Sequence, residues 1–203
     1  KNTKYIDRFS GMHTNKMGYN TYNQSHNFHS SKLELFSDYE AMDLDPVISS
    51  ALDIYADEST VKDADGDTLT ISSQNEDVRK ILHNLFYDIL NIEYNLWPWI
   101  RNAAKYGDFF LQLDIDEEVG IVGVTPLSAY EVRREEQFDE GNPYAVKFYY
   151  EGINTAPGGG IHQEFEPFEI AHFRLLSDTN FLPYGKSMIE SARKIFKQLT
   201  LIV

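Results

Sequence analysis

Three stretches of this sequence gather residue types that could do chemistry. Asp63-Ala64-Asp65-Gly66-Asp67 sets three carboxylates around a glycine, the composition of a calcium loop. An EF-hand needs glycine at its sixth position and a bidentate glutamate at its twelfth. Placing Gly66 sixth puts Val61 first and Ser72 twelfth, so the ligand set fails and a solvated turn between two strands is expected. Asn180-Phe181-Leu182-Pro183-Tyr184-Gly185-Lys186-Ser187 ends in Gly-Lys-Ser between a predicted strand and a predicted helix, as a phosphate-binding loop does. Asn180 stands where the first glycine belongs, and Pro183 removes an N–H from the anion cradle. Only 16 residues follow Ser187, which leaves no downstream strand to carry a magnesium-binding acid. His26 and His29 are three apart but have no third ligand at metal spacing, while His162 and His172 stand alone. The acids of Asp116-Glu117-Glu118 and Glu135-Glu136 read as solvated turns in a chain this acidic. No nucleophile elbow or dinucleotide glycine fingerprint occurs. Catalytic, cofactor and metal residues are therefore all assigned as none.

The elements that must position any such residue belong to a globular chain. Of 203 residues 42% are hydrophobic, enough for one large or two small domains with a core. A net charge of −14 argues against binding nucleic acid by phosphate neutralisation. The absence of cysteine excludes disulfides, thiolate metal sites and cysteine nucleophiles. The richest apolar run, Tyr87 to Ile100, carries Asp88 and Glu93 and is cut by Pro98, so a soluble chain without a membrane span or signal peptide is expected. Charge also divides the chain. Residues 1–32 hold five basic residues (Lys1, Lys4, Arg8, Lys16, Lys32) and one acid, whereas the remainder holds 13 basic and 31 acidic residues. The +4 segment lacks a helical or strand period and reads as a polar basic arm, suited to an acidic surface on its own body or on a neighbouring copy. Residues 33–203 form the body.

Within the body, Ser37-Asp38-Tyr39-Glu40 is a capping box that predicts a short helix, and Asp45-Pro46 predicts a second start. Ser59 to Ser73 alternates around the Asp63–Asp67 turn and predicts a hairpin. Asn75 caps a helix whose apolar residues Val78, Ile81, Leu82, Leu85, Phe86, Ile89 and Leu90 keep three-four spacing. Pro98 predicts a kink or restart before a helix from about Leu96 to Tyr106, closed by Gly107. Short β-rich runs follow at Phe109–Ile115, Gly120–Thr125, Tyr130–Arg134 and Tyr144–Tyr150, most simply as an antiparallel meander. Pro157-Gly158-Gly159-Gly160 leads to a last strand around Ala171–Leu176 and a closing helix from about Lys186. Helices followed by strands predict an α+β fold. The apolar stripe Ile189, Ala192, Ile195, Phe196, Leu199, Ile202, Val203 reaches the final residue without a stop signal, which predicts a native polypeptide continuing as helix beyond Val203.

The 28 aromatic residues exceed what one core readily holds and favour an assembling structural protein. Several pieces of the chain then point further. Tyr39-Glu40-Ala41-Met42-Asp43-Leu44-Asp45-Pro46-Val47-Ile48, Ala51-Leu52-Asp53-Ile54, Tyr106-Gly107-Asp108, Thr125-Pro126-Leu127, His172-Phe173-Arg174, Pro183-Tyr184-Gly185-Lys186-Ser187 and Ile189-Glu190-Ser191-Ala192-Arg193 follow in order. In order and spacing over residues 37–203 they resemble the portal, or head-to-tail connector, proteins of tailed bacteriophages, above all those of large contractile-tailed myoviruses.

The resemblance implies a non-enzymatic subunit of a homo-oligomeric ring, typically of twelve copies, at one vertex of the virion capsid, assembled in the host cytoplasm. Its channel passes double-stranded DNA during packaging and ejection, without sequence-specific binding. Its partners are the major capsid protein, the terminase, which hydrolyses the ATP, and neck or tail connector proteins; no cofactor or small-molecule substrate is implied. Residues 33–203 then correspond to much of the wing, with the final helix heading towards a stem that lies beyond Val203 in the longer chains of the family. Gly185 reads as a loop residue that lets the chain turn tightly. The acidic balance agrees, since a lysine-rich lining would grip the DNA that must slide. Two other readings compete: an acidic metal-dependent hydrolase using Asp63, Asp65 and Asp67, and a phage tail or baseplate component.

Overall fold

The computed structural model describes residues 21–64, 66–136, 141–142, 144–152, 161–176 and 181–200, with backbone alone for 21–31, 161 and 162. The chain divides into two units, Lys1–Leu35 and Phe36–Val203. In the first, the described part is the opening of helix α1 (Thr21–Asp43). The second contains the last turns of α1 and every other element.

The expected helix start at Ser37 is corrected, because α1 is already running there. A capping box works where the chain enters a helix from extended backbone. Inside a helix the N–H groups after Ser37 are bonded four residues back, and Glu40 turns instead to Lys105, 2.9 Å away. The second start holds: Asp45 accepts from the N–H groups of Val47 (2.9 Å) and Ile48 (3.3 Å) and opens α2 (Pro46–Ser59). Asn75 likewise caps α3 (Glu76–His83), which widens into a π-helical stretch, Asn84–Ile89, closed by Leu90 N–H bonding to Leu85 O. No residue of α3 is buried, so its apolar face lies largely open. Helix α4 (Ile92–Tyr106) begins earlier than expected and continues through Pro98. Gly107 ends it in the left-handed conformation at φ 83°, as its type predicts.

The hairpin expected over 59–73 is absent among the described residues. Its polar groups bind locally or to the neighbouring helices rather than across a ladder. Asp63 accepts from Asp67 N–H (3.1 Å) and Thr70 Oγ1 (2.9 Å), Thr68 N–H donates to Glu93 (2.8 Å), and the Tyr87 hydroxyl donates to Leu69 O.

The single meander is also corrected. The six strands form two antiparallel three-stranded sheets, in the orders β2-β1-β6 and β3-β4-β5. They are β1 (Asp108–Asp116), β2 (Gly120–Leu127), β3 (Val132–Glu136), β4 (Val146–Gly152), β5 (Ile161–Phe165) and β6 (Ile170–Arg174). Strand β5 escaped sequence reading because Ile-His-Gln-Glu-Phe is too polar to show a run, yet Phe165 pairs with Phe148 and is buried. The closing helix, α5 (Glu190–Thr200), starts four residues later than predicted, since the chain from Gly185 to Met188 is tied down by other strands and helices. The antiparallel sheets beside helices make the fold α+β, as expected. Among the described residues, no helix is long and apolar enough to cross a membrane.

The core of the second unit joins Tyr39 and Met42 of α1, Leu52 and Ala56 of α2, and Phe110 and Leu111 of β1. Part of the aromatic content lies in this core. Phe36 meets Tyr106 at 4.9 Å and Tyr130 at 5.3 Å between ring centroids. Charged clamps surround it. Arg101 of α4 donates to Asp43 (2.9 Å), Asp53 (2.6 Å) and Ser49 (3.0 Å), fastening α1 and α2 together. These bonds from Arg101 hold the Asp43 carboxyl down at about 2. Because that folded value lies below the ordinary carboxylate value, the clamp contributes stability above about pH 4 and loses it as pH falls towards 2. Arg101→Ala is expected to lower unfolding free energy by about 2 kcal/mol at neutral pH. In urea titrations the gap from the parent should narrow below about pH 4; a gap independent of pH would show that packing, not charge, carries the effect.

Candidate functional site

The end of α4 runs into β1 at Gly107, and there the chain meets a second glycine 78 positions later. A Cβ on Gly185 would lie 1.9 Å from the carbonyl oxygen of Gly107, and one on Gly107 would lie 2.6 Å from the backbone of Lys186. Gly185 is therefore required for close backbone contact. That corrects the expectation that it merely permits a tight turn. Backbone bonds knit the crossing: Leu175 N–H to Gly107 O (2.8 Å), Lys186 N–H to Leu175 O (3.0 Å) and Met188 N–H to Ala104 O (3.0 Å).

Asp108, 1% exposed, sits at the centre. Its Oδ1 accepts from Gly185 N–H (2.9 Å) and from Nε2 of His172 (2.8 Å), the latter on the neighbouring strand β6. Nδ1 of His172 lies 3.1 Å from an Arg134 guanidinium nitrogen. A guanidinium can only donate, so Nδ1 accepts, Nε2 carries the proton, and the imidazole is neutral. Burial pulls the His172 pKa below its ordinary value, and the nearby Arg134 and Arg174 add to this against the pull of Asp108. The ring stacks on Phe110 at 4.2 Å and packs T-shaped against Phe148 at 5.9 Å. The second sheet joins the junction through Arg134, whose N–H donates to the Tyr184 hydroxyl (2.9 Å). Arg174 donates to Pro183 O (2.6 Å).

An Asp–His pair is an orienting unit in many hydrolases, but here both ring nitrogens are engaged and one face of the imidazole is covered by Phe110. The nearby Ser187 hydroxyl lies 3.4 Å from Ala104 O and accepts from Ile189 N–H (3.1 Å), serving the approach to α5. The arrangement pins backbone and is not set to move protons to a substrate.

The other sequence candidates are placed as follows. In the Gly-Lys-Ser stretch, the N–H groups of Gly185 and Lys186 bind Asp108 and Leu175, and a buried carboxylate occupies the side where a phosphate would sit; Asn180 lies outside the described residues. Of the acidic cluster, Asp63 stabilises its own turn, Asp65 lies outside the described residues, and no group of three ligands suited to a metal occurs among the described residues. Asp116 accepts from the N–H groups of Glu118 and Val119, both at 2.9 Å, while Glu135 and Glu136 pair with Arg133 and Arg134. The side chains of His26, His29 and His162, and the Pro157–Gly160 loop, lie outside the described residues.

What sequence reading missed is the joining of these pieces. Tyr106-Gly107-Asp108, His172-Phe173-Arg174 and Pro183 to Ser187 meet at one junction. The Ile189–Arg193 piece is tied to α1: Tyr39 donates to Glu190 at 2.5 Å and Arg193 pairs with Asp38 at 3.0 Å. The available signal was the set of residues that carried the portal resemblance, read together rather than in order.

Residues 32–203 match the family model for the bacteriophage T4-like portal protein (Gp20). The chain belongs to this portal family. A search of curated proteins returned no match. The match agrees with the resemblance to myovirus portals and gives the chain a structural role in the phage virion. In that light, the buried crossing of this portal-family chain is a framework site, in which Asp108 and the two glycines set the path of the backbone into α5.

Proposed function

We propose that the chain forms part of the wall of a phage portal ring at the unique capsid vertex, with residues 33–203 as a wing-like region and 1–32 as a basic arm. The ring, of twelve copies, passes double-stranded DNA during packaging and ejection. It docks the terminase during filling and neck proteins afterwards, contacts the major capsid protein, and forms in the host cytoplasm before residing in the virion. No residue is assigned a catalytic, cofactor or metal role. The family match over residues 32–203 carries this reading. The net charge of −14 supports it, because DNA that must slide is poorly served by a phosphate-gripping surface.

Electron microscopy of the full-length protein tests it, and closed rings with an axial channel are the expected result. Persistent monomers, or an open helical filament, would contradict it. A second measurement bears on the channel. At about 0.15 M salt these 203 residues should bind duplex DNA no better than an ordinary acidic protein. Submicromolar binding with a steep salt slope would instead make the basic arm a DNA clamp.

A further inference from the structure

The fold changes character at Ile189. Just before it the chain is locked: Tyr184, Ser187 and Ile189 are buried, and the N–H groups of Gly185, Lys186 and Met188 bond to Asp108, Leu175 and Ala104. Beyond it no residue of α5 is buried, and Ala192 and Phe196 are only half-covered. A helix that buries so little apolar surface gains little from packing, so its place on the body rests largely on other bonds.

Those bonds are charged and meet on one carboxylate. Asp38, in the last turns of α1 and in the same unit as α5, accepts from Arg193 (3.0 Å) and from Lys197 (2.6 Å). The two cations stand one turn apart on the same side of α5. Arg193 also pairs with Glu190 at 2.9 Å, and Glu190 accepts from the Tyr39 hydroxyl at 2.5 Å, which joins the root of the helix to the same network. The Lys197 side chain is 42% exposed and that of Arg193 27%, so water and salt reach both. Ion pairs this open weaken as salt rises, whereas the buried hydrogen bonds of the glycine crossing do not. Because one carboxylate serves both cations, loss of its charge frees both together.

We infer that α5 is a hinged arm, latched onto α1 by Asp38, which swings out as an intact helix about Met188 and Ile189 when that charge is screened or removed, while the body stays folded. The latch lies within a single chain, so it holds or fails independently of the ring reading given above.

The test uses the full-length protein, cysteine-free apart from the substitutions; these 203 residues already lack cysteine. Spin-labelled chains are diluted into unlabelled ones, so that distances are read within one chain. Glu58→Cys on α2 with Gln198→Cys on α5 reports the arm, and Glu58→Cys with Glu117→Cys in the β1–β2 turn reports the body; all three positions are exposed. At about 0.02 M salt, double electron–electron resonance is expected to give one narrow distance for each pair. At about 1 M salt the arm pair should gain a second, broad population, about fivefold larger than at low salt, with the body pair and the helical circular dichroism unchanged. Asp38→Ala removes the charge and leaves a strong helix former inside α1, so it should show that second population already at low salt. An arm distance indifferent to both salt and Asp38→Ala would overturn the latch, by showing that packing holds α5. Broadening with salt but not with Asp38→Ala would overturn the part given to Asp38. Loss of the helical signal, or broadening of the body pair alongside the arm, would overturn the hinge, by showing unfolding in place of a swing.

Discussion

Gly185→Ala is expected to destabilise the protein by about 3 kcal/mol or more, among the largest effects of any single methyl group in this chain. The added Cβ would lie 1.9 Å from Gly107 O and 2.9 Å from Leu175 N, both backbone atoms that cannot swing aside as a side-chain tip can. Relief requires moving the Pro183–Met188 segment away from α4. That movement stretches the Leu175–Gly107, Lys186–Leu175 and Gly185–Asp108 hydrogen bonds together. Gly107→Ala should be comparably severe, since it adds a left-handed φ of 83° to contacts of 2.6 Å. Gly66 and Gly120 also have positive φ but meet nothing within 4 Å, so alanine there should cost only about 1 kcal/mol of backbone strain. Urea midpoints across the four variants check this. Equal losses at all four would show that conformation alone, and not the crossing, makes Gly185 and Gly107 necessary.

The second large effect is expected at Asp108. Asp108→Ala removes the acceptor for two buried donors, Gly185 N–H and His172 Nε2–H, and leaves His172 without the carboxylate that fixes its ring. A loss of about 3–5 kcal/mol follows from the desolvated groups left unpaired. Asp108→Asn should lose clearly less, because an amide oxygen can still accept at the Oδ1 position. The same network makes stability depend on pH. The folded pKa of His172 is depressed, so the unfolded chain takes up this proton first as pH falls. Its contribution to stability is therefore complete above the unfolded value of about 6.5 and declines as pH drops through that value towards the folded one. Thermal melts between pH 8 and 5 should show that decline in the parent and a flatter profile in His172→Gln. A parent profile that rises as pH falls through 6.5 would mean the imidazole is protonated in the fold, contrary to its bonds with Arg134.

Local chemistry makes much of this protein legible in its sequence. Asp45-Pro46 and Asn75 open helices because a side-chain acceptor two or three residues ahead of free N–H groups acts within one turn. Gly107 ends a helix because only a residue without a Cβ takes its conformation at low cost. The α+β class and the portal family are likewise written in the order of short motifs along the chain.

Tertiary structure decided whatever depended on partners distant in sequence. The capping signature at Ser37 lost to a helix already under way. The 59–73 segment exchanged a hairpin for polar bonds to Glu93 and Tyr87. Most of all, the Gly-Lys-Ser stretch could not declare its role, because the carboxylate that accepts from its Gly185 N–H lies 77 residues earlier, in Asp108. His172 appeared isolated for the same reason, with 64 residues between it and that carboxylate. Spacing along a chain records which groups share a turn or a face; which backbone must pass within touching distance of another is set only when helices and sheets close on one core.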